Sequence, residues 1–337
     1  MPLPAVQGET KKNVLLSILI PVYNGEKTIT PLVELVIDQI GKTYQLEIVL
    51  VNDGSKDKSE KVCKRLVERF PETVRFFSLS RNFGEHNAVM AGLGKVRGTY
   101  TVIIDDDFQN PPTEIEKLVH EITKGYDVVY SYYDEKKHSL FRNWGSKFNC
   151  LCANILLKKP PNLYLSSFKI LNRFIVDQIT AYDGPHPYID GLILRVTANI
   201  GQVKTDHAQR KTGKSNYTIG KLALLWMNMF ANFSILPLRF AIYCGFLFHA
   251  LSLVMVVIFI IERIVIADLP AGWTTIVILL TFFMGLQLLI TGMVGEYVGR
   301  ILLYQNRTPQ FIIRNTWENT GNEIFEKPTP ETRVINE

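Results

Sequence analysis

Three consecutive aspartates, Asp105, Asp106 and Asp107, follow the apolar run 100–104 and precede Gln109 and two prolines. Adjacent carboxylates repel one another, and a hard divalent cation relieves that repulsion. Carboxylate oxygens are the ligands that Mg²⁺ and Mn²⁺ prefer. The run therefore predicts a site for Mg²⁺ or Mn²⁺, with Asp105, Asp107 and Gln109 as ligands and Asp106 pointing elsewhere. The alternative is a helix N-cap before the prolines, although a cap requires only one aspartate.

Two further carboxylates stand just beyond predicted strand ends. The segment PVYNGE (21–26) places Glu26 after the first apolar run, and NDGS (52–55) places Asp53 after the second. Carboxylates suit ribose hydroxyls and the ring N–H of a base, although NDGS alone is also a common turn sequence. With the acidic run, they predict a nucleoside diphosphate site in which a metal ion would stabilise the leaving group.

Basic and hydroxyl side chains further along the chain could bind phosphate. They lie in FRNWGS (141–146) and in HAQRKTGKSNY (207–217), which contains a glycine. Guanidinium and ammonium groups beside hydroxyls suit phosphate oxygens. For the second segment, the alternative is a juxtamembrane basic stretch attracted to anionic lipid. The candidate phosphate ligands are Arg142, Ser146, Arg210, Lys214 and Ser215.

The elements that must position these residues alternate between strand and helix. Apolar runs rich in β-branched residues predict strands at 14–20, 46–52, 74–79, 100–105 and 127–131, with helices at 26–41, 56–70, 85–97 and 112–124. This alternation predicts an α/β domain with a doubly wound, mostly parallel sheet. In such sheets ligands bind beyond the carboxyl ends of the strands, where the polar residues above are found.

Two uncharged apolar segments, 240–261 and 271–295, are each long enough to span a membrane. Most of the lysines and arginines flank the pair, while the short connection holds only Arg263 with Glu262 and Asp268, so we expect a two-helix hairpin with both termini cytoplasmic. A buried hairpin in a soluble core is the alternative. Segment 218–235 is either an interfacial helix or a helix packed on the catalytic domain. The predicted divisions are 1–217 (catalytic domain), 218–235, 236–300 (membrane segments) and 301–337 (cytoplasmic tail).

The composition is compatible with this organisation. The chain has 337 residues and a net charge of +5, a mild excess that suits anionic lipid and does not call for nucleic acid. Its four cysteines lack zinc-site spacing and are expected to be reduced. The first residues contain no apolar signal-peptide core, so we expect the N-terminal domain to stay in the cytoplasm.

Several motifs occur in a specific order between about residues 14 and 314: PVYNGE, VNDGS, SRNFGEHNAVMAG, DDDFQNPP, RxxGxSxY, LPLR and GEYVGRI. This ordered set resembles glycosyltransferase family 2, in the branch of dolichyl-phosphate mannose synthase and bacterial polyprenyl-phosphate glycosyltransferases. The resemblance implies a GT-A fold and an inverting single displacement. It implies a UDP- or GDP-linked sugar as donor, polyprenyl phosphate as acceptor and often a homo-oligomer.

The resemblance also implies roles for residues in the matching motifs. Asp53 would hold the base or ribose, and Asp105, Asp107 and Gln109 would hold the metal and the diphosphate. Phosphates of the donor or acceptor would contact Arg142, Ser146, Arg210 and Ser215. The donor pocket would include Pro21, Tyr23, Arg81 and His86.

One motif departs from the family pattern. Many members carry an aspartate in a G-D-F-R segment, whereas SSFK (166–169) here has Ser167 at that position and keeps a positive charge at Lys169, a further candidate phosphate ligand. A catalytic aspartate cannot be transferred to this position. Asp190 and Asp106 are candidate bases, and Asp190 is otherwise a structural carboxylate. A lipid phosphate is already mostly dianionic near neutral pH and needs no base.

Two other functions compete with transfer to a lipid phosphate. Transfer to a neutral lipid or glycan hydroxyl would require a true general base. A non-catalytic membrane scaffold that binds nucleotide sugars would require none of the acidic and basic motifs to act chemically.

Overall fold

The computed structural model describes residues 14–133, 163–184, 187–206, 272–306, 309–319 and 324–328, together with residues 243, 254, 257 and 261. The chain divides into two compact units. One consists of Met1–Asn216 and Thr308–Glu337, and its described part is built on a nine-stranded sheet. The other consists of Tyr217–Arg307 and contains one long helix in its described part.

The sheet combines parallel and antiparallel strands. In chain order the strands are β1 (Leu15–Val22), β2 (Gln45–Asn52), β3 (Val74–Leu79), β4 (Tyr100–Ile103), β5 (Val128–Tyr132), β6 (Lys169–Asn172), β7 (Ile200–Lys204), β8 (Ile313–Asn319) and β9 (Ile324–Pro328). Their spatial order is β7-β5-β6-β4-β1-β2-β3-β8-β9. Strands β1 to β4 run parallel to one another in the centre.

In the part of the chain that the structure describes, six α-helices belong to the same unit as the sheet. They are α1 (Ile29–Ile40), α2 (Ser59–Arg69), α3 (Glu85–Leu93), α4 (Ile115–Ile122), α5 (Arg173–Thr180) and α6 (Ile189–Val196). Apolar side chains of α1, α2 and α4 join alternate residues of the central strands in one buried cluster. Helix α3 packs closely on the sheet because Gly92 has no side chain: a Cβ there would lie 2.1 Å from a methyl group of Leu19.

Periodicity predicted the central elements well. The five predicted strands are confirmed with ends that differ by at most two residues. The expectation of a mostly parallel sheet is wrong, since four of its eight strand pairings are antiparallel. The difference arises from β6, which inserts between β4 and β5, and from the strands of the C-terminal segment.

Strand β8 is fixed to the edge of the sheet at two places. The Trp317 ring stacks on Phe76 with 4.8 Å between centroids, and Lys64 Nζ lies 4.2 Å from the same ring. Near the amino ends of the parallel strands, the buried Arg75 donates from Nη1 to Glu47 at 2.8 Å and from Nη2 to Glu318 of β8 at 2.6 Å. The two contacts attach β8 to β3 in the centre of the same unit.

The second unit contains α7 (Trp273–Gln305), a helix of 33 residues. Within the described residues it is the one helix long and apolar enough to cross a membrane, over Leu286–Leu303. It contains the predicted span 271–295 from residue 273 onward and continues through the GEYVGRI motif. The predicted span 240–261 and the segment 218–235 lie outside the described residues, apart from residues 243, 254, 257 and 261, so the two-helix hairpin stays a prediction.

Candidate functional site

The loops after β1 and β2 are bound to each other at the carboxyl edge of the sheet. Asn24 N donates to Ser55 Oγ at 3.0 Å, and Asn24 Oδ1 accepts from Lys56 N at 2.9 Å. Glu26 takes part as well, since its Oε2 accepts from Lys58 N at 3.3 Å. The two predicted nucleotide loops therefore form one surface, on which the Tyr23 side chain is 40% exposed.

The acidic run follows β4 at the same edge, and hydrogen bonds fix two of its carboxylates. Asp105 Oδ2 accepts from Ser167 Oγ at 2.6 Å, and Asp107 Oδ1 accepts from Gln109 N at 3.0 Å. The chain reverses at Phe108 with φ of 59°, a left-handed conformation that is strained for a bulky residue. The reversal keeps the two carboxylates on a short turn directly beyond a buried strand.

The third carboxylate lies against the loop that follows β1. A Cβ built on Gly25 would lie 2.0 Å from Asp106 Oδ2, so only glycine leaves room for this carboxylate. Asp106 therefore contacts the loop PVYNGE, while Asp105 contacts the entry to β6.

The donor set fits a divalent cation that binds together with a phosphate ligand. Among the residues that the structure describes, no three His, Cys, Asp or Glu side chains form a group that could hold a metal by themselves. Mg²⁺ commonly uses one or two protein carboxylates and completes its shell with substrate phosphates and water. Asp105 and Asp107 could supply those carboxylates, with Gln109 as the third predicted ligand.

Asp53 has a structural role in the loop after β3. Its two carboxylate oxygens accept from Phe83 N at 2.7 Å and from Gly84 N at 3.0 Å. Burial raises the pKa of Asp53, and these two backbone hydrogen bonds partly offset that rise. Asp53 thus holds the loop that carries Arg81, whose guanidinium lies 4.8 Å from the Phe83 ring centroid. The contact of Asp53 with a base or ribose stays a prediction.

Two titratable residues begin α3 beside the acidic run. Glu85 is partly exposed to solvent. The surrounding protein nevertheless removes part of the water around its carboxylate, and the negative charge of Asp105 opposes the ionisation of Glu85. Together these effects raise the pKa of Glu85 to about 7. Burial lowers the pKa of His86 to about 4, which keeps its ring neutral, and the ring stands edge-on to Tyr188 at 5.2 Å.

A buried ion pair lies behind this surface. Lys169 of β6 is 4% exposed, Asp190 of α6 is 8% exposed, and Lys169 Nζ donates to Asp190 Oδ1. The same oxygen accepts from Tyr130 Oη at 2.9 Å, and burial with the nearby Asp190 charge raises the pKa of Tyr130. These contacts give Lys169 and Asp190 a role in positioning β5, β6 and α6. Their predicted roles as phosphate ligand and base stay predictions.

The structure brings together the predicted residues of the donor side. Pro21 lies in β1 beside Val51, and Tyr23, Glu26 and Asp105 lie on the loops beyond the parallel strands. The predicted phosphate ligands Arg142, Ser146, Arg210, Lys214 and Ser215 lie outside the described residues.

Sequence reasoning missed three contributions to this site. It quoted Glu85 within a motif without a role, and it noted Ser167 only as a departure from a family pattern. It did not consider Tyr130. No periodicity could have identified them, because each acts through a residue distant in sequence.

Comparisons with known proteins agree with this arrangement. The family model described as "Glycosyl transferase family 2" matches residues 17–185. Undecaprenyl-phosphate 4-deoxy-4-formamido-L-arabinose transferase of Pseudomonas fluorescens is 32% identical over 307 residues, which cover 88% of this chain and 89% of the relative. The uncharacterized glycosyltransferase YkcC of Bacillus subtilis is 29% identical over 320 residues, covering 93% of this chain and 98% of the relative.

A solved structure also shares the fold. The crystal structure of a mycobacterial protein superposes with a TM-score of 0.50 at 19% identity, covering 66% of this chain and 74% of that one. At this identity the likeness concerns the fold alone. With the family model and the curated relatives, it leads to one conclusion: the chain belongs to glycosyltransferase family 2 and has the GT-A fold of a mixed α/β sheet.

Proposed function

We propose that the chain transfers a sugar from a nucleoside diphosphate donor to a polyprenyl phosphate, with inversion at the anomeric carbon. The observation that carries the proposal is the pair of carboxylates, Asp105 and Asp107, each fixed by a hydrogen bond at the carboxyl edge of the sheet. A curated relative that aligns over 88% of the chain is named for transfer to undecaprenyl phosphate, which supports this acceptor.

The donor would lie across the loops that follow β1, β2 and β4. A divalent cation bound by Asp105 and Asp107, with Gln109 as a further ligand, would neutralise the diphosphate and favour its departure. Tyr23 and Arg81 are accessible on this surface for the nucleotide. Because backbone N–H groups and side-chain oxygens of Asn24, Ser55 and Lys56 bind the loops after β1 and β2 together, these loops would present Tyr23 in a fixed arrangement.

The acceptor would react without a protein base. A phosphate monoester has a second pKa of about 6, so one of its anionic oxygens can attack the anomeric carbon directly. The bond between that carbon and the diphosphate oxygen breaks, and the nucleoside diphosphate leaves with the electron pair. Asp190 Oδ1 already accepts hydrogen bonds from Lys169 and Tyr130, which agrees with a reaction in which Asp190 is not the base.

Strand pairing supports a membrane arrangement with both ends of the apolar stretch on one side. Strand β8 pairs with β3, although the apolar residues 236–300 lie between them in sequence. Paired strands must share one aqueous compartment, so this stretch would cross a membrane an even number of times. We propose two crossings, with the catalytic unit on the cytoplasmic face.

An assay of donor cleavage tests the proposed function. Purified full-length protein should release nucleoside diphosphate from UDP- or GDP-sugars only when polyprenyl phosphate and Mg²⁺ or Mn²⁺ are both present. Asp107→Asn should lower that rate by about 100-fold or more, because the cation that neutralises the departing diphosphate loses one of its carboxylate ligands. Asp38→Asn, on the exposed surface of α1, is the matched control and should retain full activity. An Asp107→Asn variant with near-normal turnover would refute the assignment of this site.

Glu85 is the observation that favours a second candidate, transfer to a neutral hydroxyl. A carboxyl with a pKa of about 7 beside the acidic run has the affinity for protons that a general base requires. The same assay with free polyprenol in place of the phosphate separates the candidates. Transfer to the alcohol alone, abolished in Glu85→Gln, would replace the first proposal with the second.

A further inference from the structure

The acidic run is held from the side by a residue that lies just before strand β6. Strands β4 and β6 are antiparallel neighbours in which Ile103 pairs with Lys169. Asp105 lies two residues beyond Ile103, and Ser167 lies two residues before Lys169, so both emerge at the same edge and on the same face of the sheet. Their side chains meet there, with Ser167 Oγ donating to Asp105 Oδ2 at 2.6 Å.

Ser167 is itself held in place by its neighbours. In β5, Ser131 Oγ lies 2.9 Å from Ser166 Oγ and 2.8 Å from the Phe168 carbonyl oxygen. Ser131 N also donates to Phe168 O at 3.1 Å. The buried Ser166 thus attaches the segment to β5 while the next residue reaches Asp105. The two adjacent serines have separate tasks, which makes each a control for the other.

The chemistry of the contact suits a residue that orients a metal ligand. A hydroxyl that donates to a carboxylate forms a short, charge-assisted hydrogen bond, and a carboxylate has lone pairs enough to accept it and still bind a cation. Groups that orient metal ligands in this way are commonly worth 10-fold to 100-fold in metal affinity. Because serine is neutral, it orients Asp105 without adding a fourth negative charge to three consecutive aspartates.

We propose that Ser167 is a positioning residue for the divalent cation and the nucleotide, acting through Asp105. The inference rests on the proposed function, since it concerns the same cation and donor. It assigns a task to the position at which many family members carry an aspartate. It also implies that cation binding is strongly linked to the nucleotide, because two oriented carboxylates need donor phosphates to complete the coordination.

Mn²⁺ titrations of the purified full-length protein test the inference independently of turnover. Affinity is measured with the cation alone, with UDP and with GDP, and we expect one of the nucleotides to tighten Mn²⁺ binding in the wild type. Ser167→Ala should weaken Mn²⁺ binding in the presence of that nucleotide by about tenfold. Ser167→Thr, which keeps the hydroxyl, should bind within about threefold of the wild type, since an orienting group that is retained costs little.

Ser166→Ala is the matched control for local structure, and thermal unfolding of every variant shows whether it is folded. If Ser167→Ala binds Mn²⁺ as the wild type does, the inference fails while the proposed function is unaffected. An equal loss in Ser166→Ala would also overturn it, since the effect would then come from the segment and not from Asp105. If the wild type neither binds Mn²⁺ with a nucleotide nor transfers sugar, the proposed function fails as well.

Discussion

A buried ion pair lies behind the acidic run and connects the elements around it. Lys169 and Asp190 are both buried and form one ion pair, to which Tyr130 adds a hydrogen bond. The pair joins β6 to α6, and Lys169 is two residues from Ser167. Loss of one charge would leave the other buried without its partner, which is far more costly than loss of both.

A double-mutant cycle measures this coupling. We expect Lys169→Met to lower the free energy of unfolding by about 3 kcal/mol, because the buried Asp190 carboxyl loses its ion-pair partner. The double variant Lys169→Met/Asp190→Asn should recover most of that loss, since asparagine still accepts from Tyr130. The readout is thermal unfolding in detergent.

The exposed pair Asp38 and Lys42, four residues apart at the end of α1, is the control for this cycle. Its removal should cost no more than about 0.5 kcal/mol. The expected coupling would be contradicted if the double variant Lys169→Met/Asp190→Asn were less stable than Lys169→Met and also less stable than Asp190→Asn.

At the scale of elements, alternating apolar runs allowed the first five strands to be predicted to within two residues. The helical pattern located α1, α2, α3 and α4 less accurately, with ends that differ from the prediction by up to four residues. Strand β6 was missed because SSFK was interpreted only as a motif, although its register with β4 creates the contact between Ser167 and Asp105. The position of the acidic run beyond a buried strand could be predicted from the sequence, whereas the partners that antiparallel pairing brings to it could not.

Strands β8 and β9 were missed for a different physical reason. The segment IRNTWEN contains few apolar residues, because an outer strand buries only part of its surface. Its assignment depends on Trp317 meeting Phe76, which no local pattern reveals. A segment predicted as a tail therefore contributes two strands to the sheet.

Substitution of Trp317 tests the importance of this attachment. We expect Trp317→Ala to destabilise the catalytic unit by about 3 kcal/mol, because a large side chain that is only 5% exposed is removed from its contact with Phe76 and Lys64. Arg314→Ala, at an exposed position of the same strand, should change stability by less than about 0.5 kcal/mol. Equal unfolding temperatures for the two variants would show that β8 is not firmly packed.

For the whole molecule, the sheet constrains the path of the chain through a membrane. Residues on both sides of the apolar stretch belong to one unit, Met1–Asn216 with Thr308–Glu337. One described helix, α7, is long and apolar enough to cross. An even number of crossings requires a second apolar segment, and 240–261 is the candidate in the sequence.

Cysteine labelling of intact cells tests this topology. In a chain whose four native cysteines are replaced, single cysteines are introduced at Lys204, Ile266 and Asn306. We expect a membrane-impermeant thiol reagent to label only Ile266→Cys from outside, since it lies in the short connection between the predicted spans. Lys204→Cys and Asn306→Cys should react only after the cells are opened. Labelling of one of these two from outside and not the other would exclude an even number of crossings.

The position of β8 and β9 at the end of the chain has a consequence for biosynthesis. About 110 residues separate Lys204 of β7 from Ile313 of β8, so a ribosome needs on the order of ten seconds to progress from one to the other. During that interval the face of Phe76 later covered by Trp317 is open, while the apolar segments emerge and can enter the bilayer. The nascent chain therefore completes its sheet only after the proposed membrane segments have been translated, so that insertion into a bilayer would precede completion of the sheet.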